Sequence, residues 1–223
     1  MKYTIVYDNE TLREDLTPAW GFACFIEAEK NILFDTGWDG NILLSNMKKL
    51  GYMPSDIDVV VLSHQHWDHI GGLPTVLSGL KDIEVVVPKS FSKNLVKDMS
   101  RKNSVRVVDE PKGLFDGVYS TGNLVCDFKG MSLGEQSIAF RTSKGLVVVT
   151  GCSHPGVEQI LESASSFGKV CGLIGGLHGF DKLGVLEGLE FIVPTHCTQH
   201  KKKILERFVG NAEECGVGWE KTI

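Results

Sequence analysis

Apolar residues along the chain fall into two kinds of run. Runs of the first kind alternate or form brief unbroken stretches, as strands do. Residues 2–7 alternate, and 22–28 and 32–34 are two runs parted by Glu29-Lys30-Asn31, which predicts a hairpin. Residues 59–62, 83–87 and 105–108 read as further strands, the second stopped by Pro88. Runs of the second kind recur every three to four residues, which predicts helices over 41–50, 70–80, 90–99, 157–167 and 201–209, the last with a basic start at Lys201-Lys202-Lys203. Gly51 and Pro54 end the first of these, and Pro74 sits near the start of the second, where proline is tolerated.

The remaining segments follow the same logic. Residues 118–128 hold two short strands around Gly122-Asn123. Residues 137–141 and 146–150 form a second hairpin, turned at Lys144-Gly145. Strands are expected over 170–174, 191–193 and 217–219, while 8–18 and 111–117 read as loop and turn. Each half runs hairpin, strand, helix, a hint of internal duplication. No linker or low-complexity segment interrupts the pattern, so one domain over 1–223 is expected.

Polar residues become informative where they follow the strands. After Val59-Val60-Val61-Leu62 comes Ser63-His64-Gln65-His66-Trp67-Asp68-His69-Ile70-Gly71-Gly72. His64 and His66 are two apart, so in extended backbone they point the same way. Asp68 and His69 open the next segment. One strand-to-helix corner therefore aims three imidazoles and a carboxylate at one point, a donor set suited to Zn²⁺, Mn²⁺ or Fe²⁺. A core would not bury that much unpaired polarity cheaply.

Three later stretches repeat the arrangement of apolar strand, small-residue turn and histidine. They end in Gly151-Cys152-Ser153-His154, Gly175-Gly176-Leu177-His178 and Pro194-Thr195-His196. Active groups gather beyond the carboxyl ends of strands, where loops converge. His154 and His196 are candidate metal ligands. His178 is either a substrate contact or a structural residue, and His200, beside three lysines, a surface one. Asp35, at the end of a strand in Asp35-Thr36-Gly37, is either a turn residue or a partner that orients a ligand histidine through its ring N–H. Cys152 is either a thiolate ligand or a small buried side chain.

Composition narrows the surroundings. The 223 residues carry a formal charge of −5, against an electrostatic grip on nucleic acid. No apolar run approaches the roughly 20 residues of a membrane span. The N-terminus reads as a strand and not a signal peptide. The six cysteines lack tight framework spacing, which fits reduced thiols and a cytoplasmic setting.

His64-x-His66-x-Asp68-His69 after a strand, Asp35-Thr36-Gly37 before it and single histidines later resemble the metallo-β-lactamase superfamily over nearly the whole chain. That resemblance implies an α/β fold, an αββα sandwich of two mixed β-sheets flanked by helices, with one or two divalent metal ions at one edge. Zinc is the first expectation, with Mn, Fe or Mg as substitutes. By analogy His64, His66 and His154 would hold one ion, and Asp68, His69 and His196 the other. Within the superfamily, the stretches around Cys152, His178 and His196 are similar to a narrower group labelled dihydropterin-methyl-ribofuranosylaminobenzene-phosphate synthase-like.

Two departures stand out. Cys152 occupies the place where many members carry a metal-bridging aspartate, and Trp20-Gly21 stands where the narrower group often has His-Gly. The expected activity is hydrolysis of a small anionic, phosphate-containing ester by a metal-activated hydroxide. Asp68 would guide the proton and His178 contact the substrate. The alternatives are a transferase condensing a pterin with an arylamine ribose phosphate, and a non-catalytic metabolite sensor.

Overall fold

The computed structural model describes residues 1–80 and 82–223. Two mixed sheets form its centre. The first has seven strands in the order β15-β1-β2-β3-β4-β5-β6. These are β1 (Lys2–Tyr7), β2 (Ala23–Glu27), β3 (Ile32–Phe34), β4 (Val59–Val61), β5 (Glu84–Pro88), β6 (Ser104–Val108) and β15 (Glu220–Thr222). The second has six strands, β14-β13-β12-β11-β8-β7. These are β7 (Lys112–Phe115), β8 (Val118–Ser120), β11 (Ile138–Thr142), β12 (Gly145–Thr150), β13 (Val170–Gly176) and β14 (Phe191–Thr195). A two-stranded ribbon, β9 (Leu124–Phe128) with β10 (Met131–Glu135), stands apart.

Alternation along the strands makes the layers. Val59 and Val61 of β4 and Val147 and Val149 of β12 face each other's sheet, in a core with Tyr3, Ile5, Phe34 and Phe140. Val60 and Leu62 point outward, where α1 (Gly40–Lys49), α3 (Leu73–Ser78) and α4 (Lys93–Met99) bury Leu43, Met47, Val76 and Met99. Leu146 and Val148 do the same beneath α5 (Val157–Ser165) and α6 (Lys201–Arg207), which contribute Val157, Ile160, Ala164 and Ile204. This is the expected αββα sandwich. Each sheet is antiparallel on one side and parallel on the other, which gives the two halves their similar rhythm. No helix among the described residues is long and apolar enough to cross a membrane.

Four local expectations are corrected. The helix expected over 70–80 is broken: α2 (Trp67–Ile70) carries the end of the histidine motif, and α3 restarts at Leu73. Gly71 and Gly72 separate them because other backbone crosses there. A Cβ on Gly72 would lie 2.2 Å from the Thr36 carbonyl oxygen, and one on Gly71 2.3 Å from that of Trp38. The expected turn over 111–117 contains β7, an edge strand that buries only Leu114 and so carries little periodicity. The β10 strand was not expected at all, since both residues at its start are exposed. The last strand lies at Glu220–Thr222 and not over 217–219, where Gly218 has φ +92° and Val217 makes only an isolated bridge to Thr11.

Candidate metal centre

The loops after β1, β3, β4, β10, β12, β13 and β14 meet at one rim between the two sheets. One contact between the halves is His69 Nε2 to Cys152 Sγ at 3.1 Å, across 83 residues of chain. Sharp turns aim the side chains. Asp35, Ser153, His178 and His196, all at this rim, have φ between +42° and +59°, a region non-glycine residues rarely enter. Such strain clusters at functional sites because the surroundings over-determine it.

His64, His66 and His154 form the first group, their ligating atoms all within 4.8 Å of one another. Ser63 Oγ donates its proton to Asp35 Oδ2 at 2.6 Å and so accepts from His64 Nδ1 at 2.9 Å, leaving His64 Nε2 a bare lone pair. That nitrogen lies 3.0 Å from His66 Nδ1. His154 Nδ1 donates to Glu135 Oε2 at 2.9 Å, which likewise frees its Nε2. Glu135, 1% exposed, also accepts from the backbone N–H groups of Cys152, Ser153 and His154 at 2.8, 3.0 and 3.0 Å. One carboxylate thus shapes the whole turn that delivers the histidine.

Asp68, His69 and His196 form the second group, again within 4.8 Å. His69 Nδ1 donates to Asp35 Oδ2 at 2.7 Å. His196 Nδ1 donates to Asn9 Oδ1 at 3.0 Å, while Asn9 Nδ2 donates to the His196 carbonyl and the His196 N–H to Asp8 Oδ2. Asp68 Oδ2 accepts from Trp20 Nε1 at 2.9 Å. The buried His196 Nε2 has no hydrogen-bond partner. Asp68 Oδ2 is 3.3 Å from it, close but out of line for a hydrogen bond.

Electrostatics agree with this geometry. Burial, reinforced by the neighbouring His69, holds His64 well below the usual imidazole range. Burial and His196 bring His69 down to about 3. Both are therefore neutral and able to coordinate at neutral pH. Burial would raise Glu135, but His64 and the hydrogen bond from His154 take it below the ordinary carboxylate range. Burial pushes the Cys152 thiol well up, and Cys197 adds to that.

A profile of the metallo-beta-lactamase superfamily matches residues 21–164. The chain belongs to that superfamily. It is 29% identical to the 7,8-dihydropterin-6-methyl-4-(beta-D-ribofuranosyl)-aminobenzene-5'-phosphate synthase of Methanocaldococcus jannaschii, over 93% of this chain and 94% of that protein. A second protein of that organism, uncharacterized, is 25% identical over 88% of this chain and 90% of its own. Among solved structures, Tm1679, a metal-dependent hydrolase of the beta-lactamase superfamily, superposes with a TM-score of 0.82 at 24% identity, covering 100% of this chain and 99% of that one.

The metallo-beta-lactamase fold implies divalent metal, and the residues fit one. The orphaned Nε2 of His196, the close approach of His64, His66 and His154 ring nitrogens, and the carboxylates of Asp35, Asp68 and Glu135 close by all suit a bound cation. An imidazole held by its other nitrogen on a carboxylate or amide oxygen is the usual support for such a ligand.

The structure brings together all the predicted candidates: His64, His66, His154, Asp68, His69, His196 and Cys152, with Asp35 behind His69. His178 stands one shell outward, its ring 5.1 Å from that of His154 and 5.8 Å from Phe128. His200 lies at the start of α6, partly exposed and outside both donor groups.

Sequence reasoning missed four contributors: Glu135, Asn9, Trp20 and Cys197. Glu135 and Asn9 are lone polar residues that carry no spacing signal. Trp20 was visible only as the residue replacing a histidine. The thiol of Cys197, directly after His196, lies 3.2 Å from that of Cys152.

Proposed function

We propose that the protein is a metal-dependent hydrolase of a small anionic phosphate ester, using two divalent ions, zinc first among them. The observation that carries this reading is the pair of donor groups, His64/His66/His154 and Asp68/His69/His196, on one rim and joined by Cys152. Ions held there would supply Lewis acidity and lower the pKa of bound water towards about 7.

The chain's own residues do the rest. Asp35, Glu135 and Asn9 lock the ring orientation of His69, His154 and His196, so no reorganisation is needed on binding. Asp68 Oδ2 accepts from Trp20; burial would raise this carboxyl, but His196 and His69 take it below its ordinary range, so it stands ionised as an oxygen donor to a cation. His178 is held below its usual range by burial and by His154. As a neutral imidazole at the mouth it can donate to a substrate oxygen. Phe128 forms the wall between His66, His154 and His178.

Charge favours an anion. Within the donor groups, Asp68 and a hydroxide would set two negative charges against the four of two divalent ions, Asp35 and Glu135 lie behind His69 and His154, and the Cys152 thiol, pushed up by burial, adds no charge until a metal takes its proton. Lys129 lies over the Phe128 ring, 5.2 Å from its centroid, and adds positive charge at the mouth. The test is hydrolysis of phosphomonoester, phosphodiester, lactone and thioester panels by metal-reconstituted protein. Preference for phosphate esters is expected, and clear preference for a neutral ester would overturn the substrate class.

The 29% identity to a synthase favours a second reading, condensation of a pterin with an arylamine ribose phosphate. A condensed product formed from both substrates, with no ester hydrolysis, would select it.

A further inference from the structure

Beyond hydrolysis, the rim contains a thiol pair that the proposed chemistry does not use as a pair. Cys152 follows β12 and Cys197 follows β14, yet their Sγ atoms are 3.2 Å apart. A disulfide would require them to close by roughly another 1.2 Å, to about 2.05 Å. The meeting depends on the strand between them. A Cβ on Gly176, at the end of β13, would lie 2.7 Å from Cys197 Sγ and 3.4 Å from Cys152 Cα. The missing side chain is what admits the Cys197 sulfur beside Cys152. Cys152 is 3% exposed while Cys197 is half-buried, so one partner is sheltered and the other reachable.

The same Cys152 sulfur faces the metal groups. It is 3.1 Å from His69 Nε2, and it completes one donor cluster with His64 and His69 and another with His196 and Cys197. A sulfur serving both a metal position and a neighbouring thiol can be committed to only one of them at a time.

We propose that Cys152 and Cys197 are a reversible oxidation site, closed to a disulfide by a hydroperoxide and withdrawn from oxidation when a divalent ion occupies the rim. In the first step the Cys197 sulfur, having lost its proton, attacks one oxygen of hydrogen peroxide. The O–O bond breaks, water leaves, and Cys197 carries a sulfenic acid. The Cys152 sulfur then attacks the Cys197 sulfur. The S–S bond forms, the S–O bond breaks, and the hydroxyl departs with the Cys152 proton as a second water. Two thiols lose two electrons and two protons, and peroxide becomes two waters. A dithiol reductant reverses the step by exchange at the Cys197 sulfur. In the oxidised state the Cys152 sulfur is withdrawn from His69, and the centre loses a soft donor.

The experiment exposes the full chain to hydrogen peroxide, with and without added Zn²⁺, quenches it by alkylation, and reads intact mass and peptide maps. The expected result without zinc is a loss of about 2 Da with a Cys152–Cys197 linked peptide that dithiothreitol releases, while added zinc slows its formation. Cys24, Cys126, Cys171 and Cys215 serve as internal controls and should remain alkylatable. Cys197→Ser should give no linked peptide. Addition of oxygen mass at Cys197 with Cys152 still alkylatable would overturn the disulfide. Equal rates with and without zinc would overturn its coupling to the metal position. Neither readout depends on which ester, if any, the protein hydrolyses.

Discussion

Glu135→Gln is the most revealing single change, because it keeps shape and removes charge. The carboxylate accepts two N–H groups on Oε1, from Cys152 and Ser153, and two on Oε2, from the His154 backbone and ring. A glutamine amide can replace only one of these oxygens with an acceptor. Whichever way it turns, its NH₂ faces donors. Turned towards His154, it leaves that backbone N–H unsatisfied and forces the ring to carry its proton on Nε2, the nitrogen needed by a metal. Turned the other way, it opposes the N–H groups of Cys152 and Ser153. Hydrogen bonds to a buried charge contribute about 1.5–3 kcal/mol each, so losing two costs about 3–6 kcal/mol. That is a large share of the roughly 5–15 kcal/mol that holds a typical domain folded. Metal affinity should fall by about 10- to 100-fold, as it does when the support of a ligand histidine is removed. Urea unfolding of metal-free protein measures the first effect, and competition with a chromophoric zinc chelator the second. Unchanged midpoint and unchanged affinity together would refute the role assigned to Glu135.

Two further outcomes follow from the same geometry. Gly72→Ala places a Cβ 2.2 Å from the Thr36 carbonyl and should lower stability by about 1–3 kcal/mol, read as a fall in melting temperature; an unchanged melting temperature would show that the two loops are not in contact. His64 and His69 are held neutral at neutral pH, whereas burial keeps the proton on Cys152, so zinc binding through that sulfur should release a proton that Cys152→Ser does not. Calorimetry in buffers of different ionisation enthalpy counts those protons, and equal release in both proteins would remove Cys152 from the ligands.

Much of the site could be read from the chain because its geometry is local. His64 and His66 share a direction through strand periodicity, and the buried run 59–62 announces the strand. Helices such as α1 and α5 were visible because Leu43 and Met47, or Val157, Ile160 and Ala164, repeat at helical spacing on one buried face. What escaped is held by contacts between distant segments. Asn9 meets His196 across 187 residues, and Glu135 meets His154 from the buried end of a separate ribbon whose β10 strand starts exposed. The glycines after the histidine motif looked compatible with a continuing helix. Only the crossing backbone at Thr36 and Trp38 explains why the helix breaks there.

The central claim is that two donor groups share one rim, one anchored by His154 and the other by His196. Mass-spectrometric metal analysis of protein purified without chelator, alongside His154→Ala and His196→Ala, tests it most directly. The account predicts that each single variant loses one ion relative to the parent and that the double variant retains none. Parent-level metal in both single variants, with the fold intact by circular dichroism, would contradict it.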